Sequence, residues 1–155
     1  KINIHIGGAY GDKVSAMERF CENFHRLPDS VKSRLTVEND DKASMYSVVD
    51  LYEGVYKVIG IPIVFDYHHH RFCSGGLSEE DALEVAISTW VDIVPVVHYS
   101  ESRSIEQEDD KIRPQAHSDY VLDYIDTYGN RVDIMVEAKA KELAVLKYKE
   151  IHKVV

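Results

Sequence analysis

Short apolar runs suited to strands alternate along the chain with segments whose apolar residues recur three and four apart. Ile2-Asn3-Ile4-His5-Ile6 alternates and then breaks at Gly7-Gly8, as a strand entering a tight turn does. Val14, Met17, Phe20, Cys21 and Phe24 follow at helical spacing. A short helical piece after Pro28 leads to a second strand, Leu35-Thr36-Val37-Glu38. Ser47 with Asp50 three residues on forms a capping box for a helix whose face is Leu51, Val55 and Val58 and whose end is Gly60. Ile61 to Asp66 is a third strand, apolar on both faces, with Pro62 tolerable at its start. Ser78 and Asp81 repeat the capping pattern before Leu83, Ala86, Ile87 and Trp90. Ile93 to His98 and Val132 to Val136 predict the fourth and fifth strands. A last helix carries Leu143, Leu146 and the alternating charges of Glu137 to Glu142. The acidic stretch Glu101 to Asp110 is expected as a long solvated loop.

Strand then helix at roughly 30-residue spacing, without hairpin signals, predicts βαβ units and a parallel sheet in an α/β fold. The 155 residues are 45% hydrophobic, enough for one domain spanning 1–155, and no apolar run approaches the length of a membrane span. Eighteen basic residues against 27 acidic ones leave a net charge of −9, so no broad phosphate-binding surface is advertised. Any nucleic-acid contact needs cations from bound metals or from other polypeptide. Two cysteines, Cys21 and Cys73, make no disulfide framework and have no C-x-x-C partner. With no secretory pattern at the start, an intracellular protein is expected: cytoplasm or nucleoid if prokaryotic or viral, nucleus if eukaryotic. The chain opens without Met and inside a strand, which raises the expectation of missing upstream sequence.

The polar residues recur at one place. His5 lies within the first strand; Glu38, Asp66 and His98 end the next three; Glu137 closes the fifth; His69 and His117 lie in loops just past strand ends. The C-terminal edge of a parallel α/β sheet is where ligands and catalysis sit. Singly, each residue has a plain explanation. His5 and His98 read as hydrogen-bonded core imidazoles, Glu38 as a helix cap, His69 as part of a solvated run, His117 as a helix-start loop residue and Glu137 as a dipole partner. Recurring once per strand on the same edge, they read instead as a cation site built from imidazole and carboxylate. The Gly7-Gly8-Ala9-Tyr10-Gly11 turn lacks the spacing of a phosphate loop, and Ser100 lacks a nucleophile elbow.

Five strings occur in a telling order: Val37-Glu38-Asn39-Asp40-Asp41, Phe65-Asp66-Tyr67-His68-His69-His70, His98-Tyr99-Ser100-Glu101, Ala116-His117-Ser118-Asp119-Tyr120 and Asp133 to Lys139. With the Asn3 to Gly8 opening, they resemble the UV damage endonucleases over essentially the whole chain. The resemblance implies a TIM barrel of the endonuclease IV superfamily, of which this chain is the C-terminal half with about five parallel strands. It implies a metal-dependent DNA repair endonuclease that nicks double-stranded DNA 5′ to UV photoproducts. The cofactors would be divalent ions, Mn²⁺ before Zn²⁺ or Mg²⁺. Glu38 would bridge two cations, His5 binding the first and Asp66, His98 and Glu137 the second, while His69 and His117 would hold a third. Glu38, Asp66 and Glu137 would be the catalytic carboxylates. The family's lysine two residues before the strand histidine is Val96 here, so a third cation is expected to be held differently or more weakly. Five strands cannot close an eight-stranded barrel, so an N-terminal half or a second copy is an expected partner. An abasic-site endonuclease and a non-catalytic metal-binding half-barrel needing a partner are the alternatives.

Overall fold

The computed structural model describes residues 1–154. Its five strands are β1 (Ile2–Ile4), β2 (Leu35–Glu38), β3 (Ile63–Asp66), β4 (Val96–Tyr99) and β5 (Asp133–Val136). They form one parallel sheet in the order β1-β2-β3-β4-β5. No strand is skipped, and each crossover carries helical or irregular chain over the sheet. This is the parallel sheet of βαβ units that the alternating pattern predicts, arranged as the half-barrel that the resemblance implies.

The helices follow their caps. Asp12 accepts the Ser15 N–H to open α1 (Lys13–His25), which buries Ala16, Met17, Cys21 and Phe24. α2 (Asp29–Lys32) is the short piece after Pro28. The Ser47/Asp50 box opens α3 (Val48–Leu51), which widens into a π-helical turn over Tyr52–Tyr56 and ends as α4 (Lys57–Ile59) at Gly60, φ +71°. Inside that turn a Cβ on Gly54 would stand 2.6 Å from Met17 Sδ, so the missing side chain lets α1 approach closely. α5 (Tyr67–His70) follows β3 directly, and α6 (Glu79–Ser88) is capped by Ser78. α7 (Arg103–Glu106) and α8 (Glu142–His152) complete the set.

Val37, Leu51, Val55, Ile63, Phe65, Leu83 and Tyr46 are fully buried between sheet and helices. Each such aliphatic or aromatic side chain contributes about 1.5–3 kcal/mol on leaving water. Trp90 donates Nε1–H to the Ile63 carbonyl at 2.7 Å, and Thr89 Oγ1 accepts the Ile63 N–H at 2.9 Å, tying the end of α6 to β3.

Several boundaries differ from the sequence expectation. β1 stops at Ile4, so His5 follows the strand instead of lying in it. The fourth strand starts at Val96 because Pro95 cannot donate to a ladder, and Ile93 is exposed. Val58 faces solvent, because the π-helical turn rotates the face set by Leu51 and Val55. The last helix begins at Glu142, and Leu143 and Leu146 are exposed while Ala144 is buried. Glu101 to Asp110 is not a free loop. It contains α7, and Glu101 and Glu106 accept backbone N–H groups of Leu122, Asp123, Asp119 and Tyr120. His69 stands on α5 and not in an open loop.

Candidate metal centre

Register brings the polar residues level. Asp66 pairs with His98 across β3 and β4. Ile4 pairs with Val37, so His5, one residue on, comes level with Glu38. Glu38 is the hub. Its Oε1 lies 3.2 Å from His69 Nδ1 and 3.9 Å from His5 Nε2, and its Oε2 lies 3.2 Å from His98 Nδ1. Two sets of donor atoms close enough to share an ion result: His5, Glu38 and His69, and Glu38, Asp66 and His98. Glu38 belongs to both. Glu137 Oε1 stands 3.0 Å from His98 Nδ1, and its Oε2 lies 3.7 Å from His117 Nδ1 at the outer end of the row. The rings of His69 and His117 are 6.3 Å apart, and His69 falls in the set with His5.

Other residues hold these groups in place. Asn3 donates to Glu38 Oε2 from β1. Asn39, fully buried, accepts the Asp66 N–H at 2.9 Å and donates to the Asp66 carbonyl at 3.0 Å, locking the ends of β2 and β3 together. Its own carbonyl lies 2.8 Å from His69 Nδ1. With Glu38 Oε1 at 3.2 Å from the same nitrogen, two acceptors face Nδ1 and favour a proton there. Asp66 Oδ1 accepts the His69 N–H at 2.7 Å, so this carboxylate caps α5 as well as facing the cluster. Asp40 Oδ1 lies 3.2 Å from His5 Nδ1. Asn39 and Asp40 belong to the Val37-Glu38-Asn39-Asp40-Asp41 string, yet only their turn propensity was readable from their type. Their role as supports appears only with the fold.

Titration follows this crowding. Burial pushes Asp66 up to about 7. For Glu38, burial pushes upward but contacts with His69 and His98 outweigh it and hold the carboxyl well below the usual range. Burial works against the charged forms of His69 and His98, yet their carboxylate neighbours raise them to about 9 and about 10. His5 is raised by its contact with Asp40.

The donors suit a divalent cation. Asp66 Oδ2 and His98 Nδ1 are buried and make no aligned hydrogen bond, a costly state that ligation relieves. Oxygen and imidazole nitrogen without thiolate match Mn²⁺, Mg²⁺ or Zn²⁺. Both cysteines are buried elsewhere, in the helical layer or below the α5 loop.

Comparison with known proteins agrees with this arrangement. The chain is 40% identical over 159 residues to the UV DNA damage endonuclease of Bacillus cereus (strain Q1), covering 95% of this chain and 47% of that protein. It is likewise 40% identical over 157 residues to the UV DNA damage endonuclease of Bacillus mycoides (strain KBAB4), covering 94% of this chain and 46% of the relative. The crystal structure of SacUVDE superposes with a TM-score of 0.82 at 34% identity, over 99% of this chain and 51% of that one. The chain thus spans about half the length of these relatives. A model of the UV-endonuclease UvdE family matches residues 1–154, and the chain belongs to that family.

Proposed function

We propose that this chain carries the metal-binding part of a DNA repair endonuclease that cuts the phosphodiester backbone 5′ to UV photoproducts in double-stranded DNA. The observation that carries the reading is the shared carboxylate: Glu38 sits in both potential cation sets at the sheet's C-terminal edge. Glu38 would bridge two ions, with His5 and His69 on one side and Asp66 and His98 on the other. Glu137 would complete the second site beside His98. His117 would serve a third, with Val96, and not a lysine, two residues before His98 on β4. Mn²⁺, Zn²⁺ and Mg²⁺ all accept this donor set, and the resemblance to the family puts Mn²⁺ first. Bound there, divalent ions would supply Lewis acidity toward a phosphodiester and toward water near neutral pH.

The chain's own residues supply positioning. Asn3 fixes the rotation of Glu38, Asn39 holds Asp66 and His69, and the Asp66 cap on α5 aims the His69 ring. Preset donors of this kind lower the reorganisation needed when charge develops on the phosphate.

The strand edge of β5 exposes Ile134 and Met135. That supports pairing with further barrel strands, from an N-terminal half or a second copy, making residues 1–155 one part of a TIM barrel. An intracellular protein fits this work, and no helix among the described residues is long and apolar enough to cross a membrane.

The test combines metal analysis with nicking of irradiated and intact plasmid by the intact protein, with an abasic oligonucleotide alongside. The expected result is bound divalent metal and cutting confined to irradiated DNA. Cutting of the abasic substrate without cutting of irradiated DNA would move the reading to an abasic-site enzyme, and absence of metal would defeat it.

A further inference from the structure

Resting on the metal-centre reading above, we infer that Asp40 is a positioning residue that fixes which ring nitrogen of His5 meets the cation. It thereby sets how tightly the first of the two ions is held. The two nitrogens of the His5 ring face different carboxylates. Nε2 lies 3.9 Å from Glu38 Oε1, on the carboxylate common to both donor sets, while Nδ1 lies 3.2 Å from Asp40 Oδ1. Asp40 itself belongs to neither set. It stands behind the ring, where it holds the proton on Nδ1 and turns the Nε2 lone pair toward the ion.

Asp40 is placed for this task. Its N–H bonds to the carbonyl of fully buried Tyr46 at 2.8 Å, so the turn after β2 pins the residue. The side chain reaches His5 from the β2 side, the flank on which β1 is already paired, and the contact needs neither open edge of the sheet. Oδ2 is buried without a hydrogen-bond partner. Among the described residues no lysine or arginine comes within 4 Å of this carboxylate, and the His5 ring is its one basic neighbour at that distance. A buried carboxylate in that state is costly unless positive charge lies near. A divalent ion on Nε2 supplies that charge through the ring. Chains of carboxylate, imidazole and cation fix the ring's orientation and tautomer and raise its basicity as a ligand.

The experiment compares the intact protein with Asp40→Asn and Asp40→Ala variants. It reads manganese binding by calorimetry, the His5 tautomer from ¹⁵N imidazole spectra of the zinc-loaded protein, and nicking of irradiated plasmid across manganese concentration. Asp40→Ala should weaken one ion about 10–100-fold and leave the other as in the parent. Asp40→Asn, which keeps an acceptor oxygen, should lose less. His5 Nδ1 should carry the proton in the parent and lose that preference in the alanine variant. Nicking by both variants should return to the parent rate once manganese is raised by the same factor. Binding of both ions unchanged, equal weakening of both, or a nicking loss that excess manganese does not repair overturns the inference. A parent that binds two ions but leaves irradiated DNA uncut overturns the nuclease reading and leaves the role of Asp40 standing. A parent that binds no divalent ion overturns both.

Discussion

Replacing Asp66 by Asn should stabilise the metal-free protein while destroying its response to metal. Asp66 is fully buried, and its Oδ2 makes no hydrogen bond. Burial carries its carboxyl from 3.8 to about 7, which corresponds to about 4 kcal/mol against the folded state once the group ionises. The sign follows from the folded value lying above the unfolded one. The cost is absent below pH 3.8, grows between pH 3.8 and about 7, and is constant above that. Asn keeps the oxygen that accepts the His69 N–H at 2.7 Å, so the α5 cap survives. Allowing about 1 kcal/mol for the Asn amide group buried without a partner where Oδ2 stood, the expected gain at pH 8 is about 3 kcal/mol, or roughly 9 °C in Tm for a chain of this size, and it falls away toward pH 4. Manganese at 100 times its dissociation constant would stabilise the parent by about 2.7 kcal/mol and the variant by far less. Urea and thermal unfolding of chelated protein at pH 4 and pH 8, with and without manganese, provide the assay. A variant that is less stable than the parent at pH 8 without metal, or that keeps the full manganese response, would refute the reasoning.

Three further outcomes follow from the same geometry. Glu38→Gln removes the one carboxylate common to both donor sets, so bound metal should fall by about two ions per chain and nicking by at least about 100-fold, read by elemental analysis and plasmid relaxation. Asn39→Ala deletes two buried hydrogen bonds and strands the Asp66 backbone groups, and should lower stability by about 2–4 kcal/mol in urea titrations. His69 and His98, raised to about 9 and about 10, are protonated at pH 8 without metal, and that contribution to stability is lost as pH rises through those values. Ligation needs neutral rings, so metal binding should release about two protons at pH 8, measurable by calorimetry in buffers of different ionisation enthalpy.

Much of the scaffold could be read from local chemistry. Leu35 to Glu38, the Ser47 and Ser78 caps and the Gly60 stop stand where their patterns place them, because capping and burial of a continuous apolar run are decided within a few residues. The π-helical turn and the late start of α8 were not readable. Both depend on packing, Gly54 against Met17 in one case and the ties of Lys139 and Ala140 to Ser118 and Asp119 in the other. At the site, the recurrence of His, Asp and Glu along one edge points to the cluster, and register explains why: strand ends that are level bring distant residues into contact. Which partner each group faces depends on side-chain directions that spacing does not encode. His69 beside His5, and Asn39 spanning two strands, emerge only from the three-dimensional arrangement.

The unskipped strand order also sets a timetable for synthesis. Each new strand lies against the one made just before it, so the sheet can grow in the direction of translation without waiting for distant pairing. Glu38 emerges before Glu137, which comes only with β5, an interval of roughly 5–20 s at ordinary ribosomal speed. A nascent chain therefore exposes a partial set of chelating groups for most of that time, and Glu137 joins them only when the final β–α unit docks.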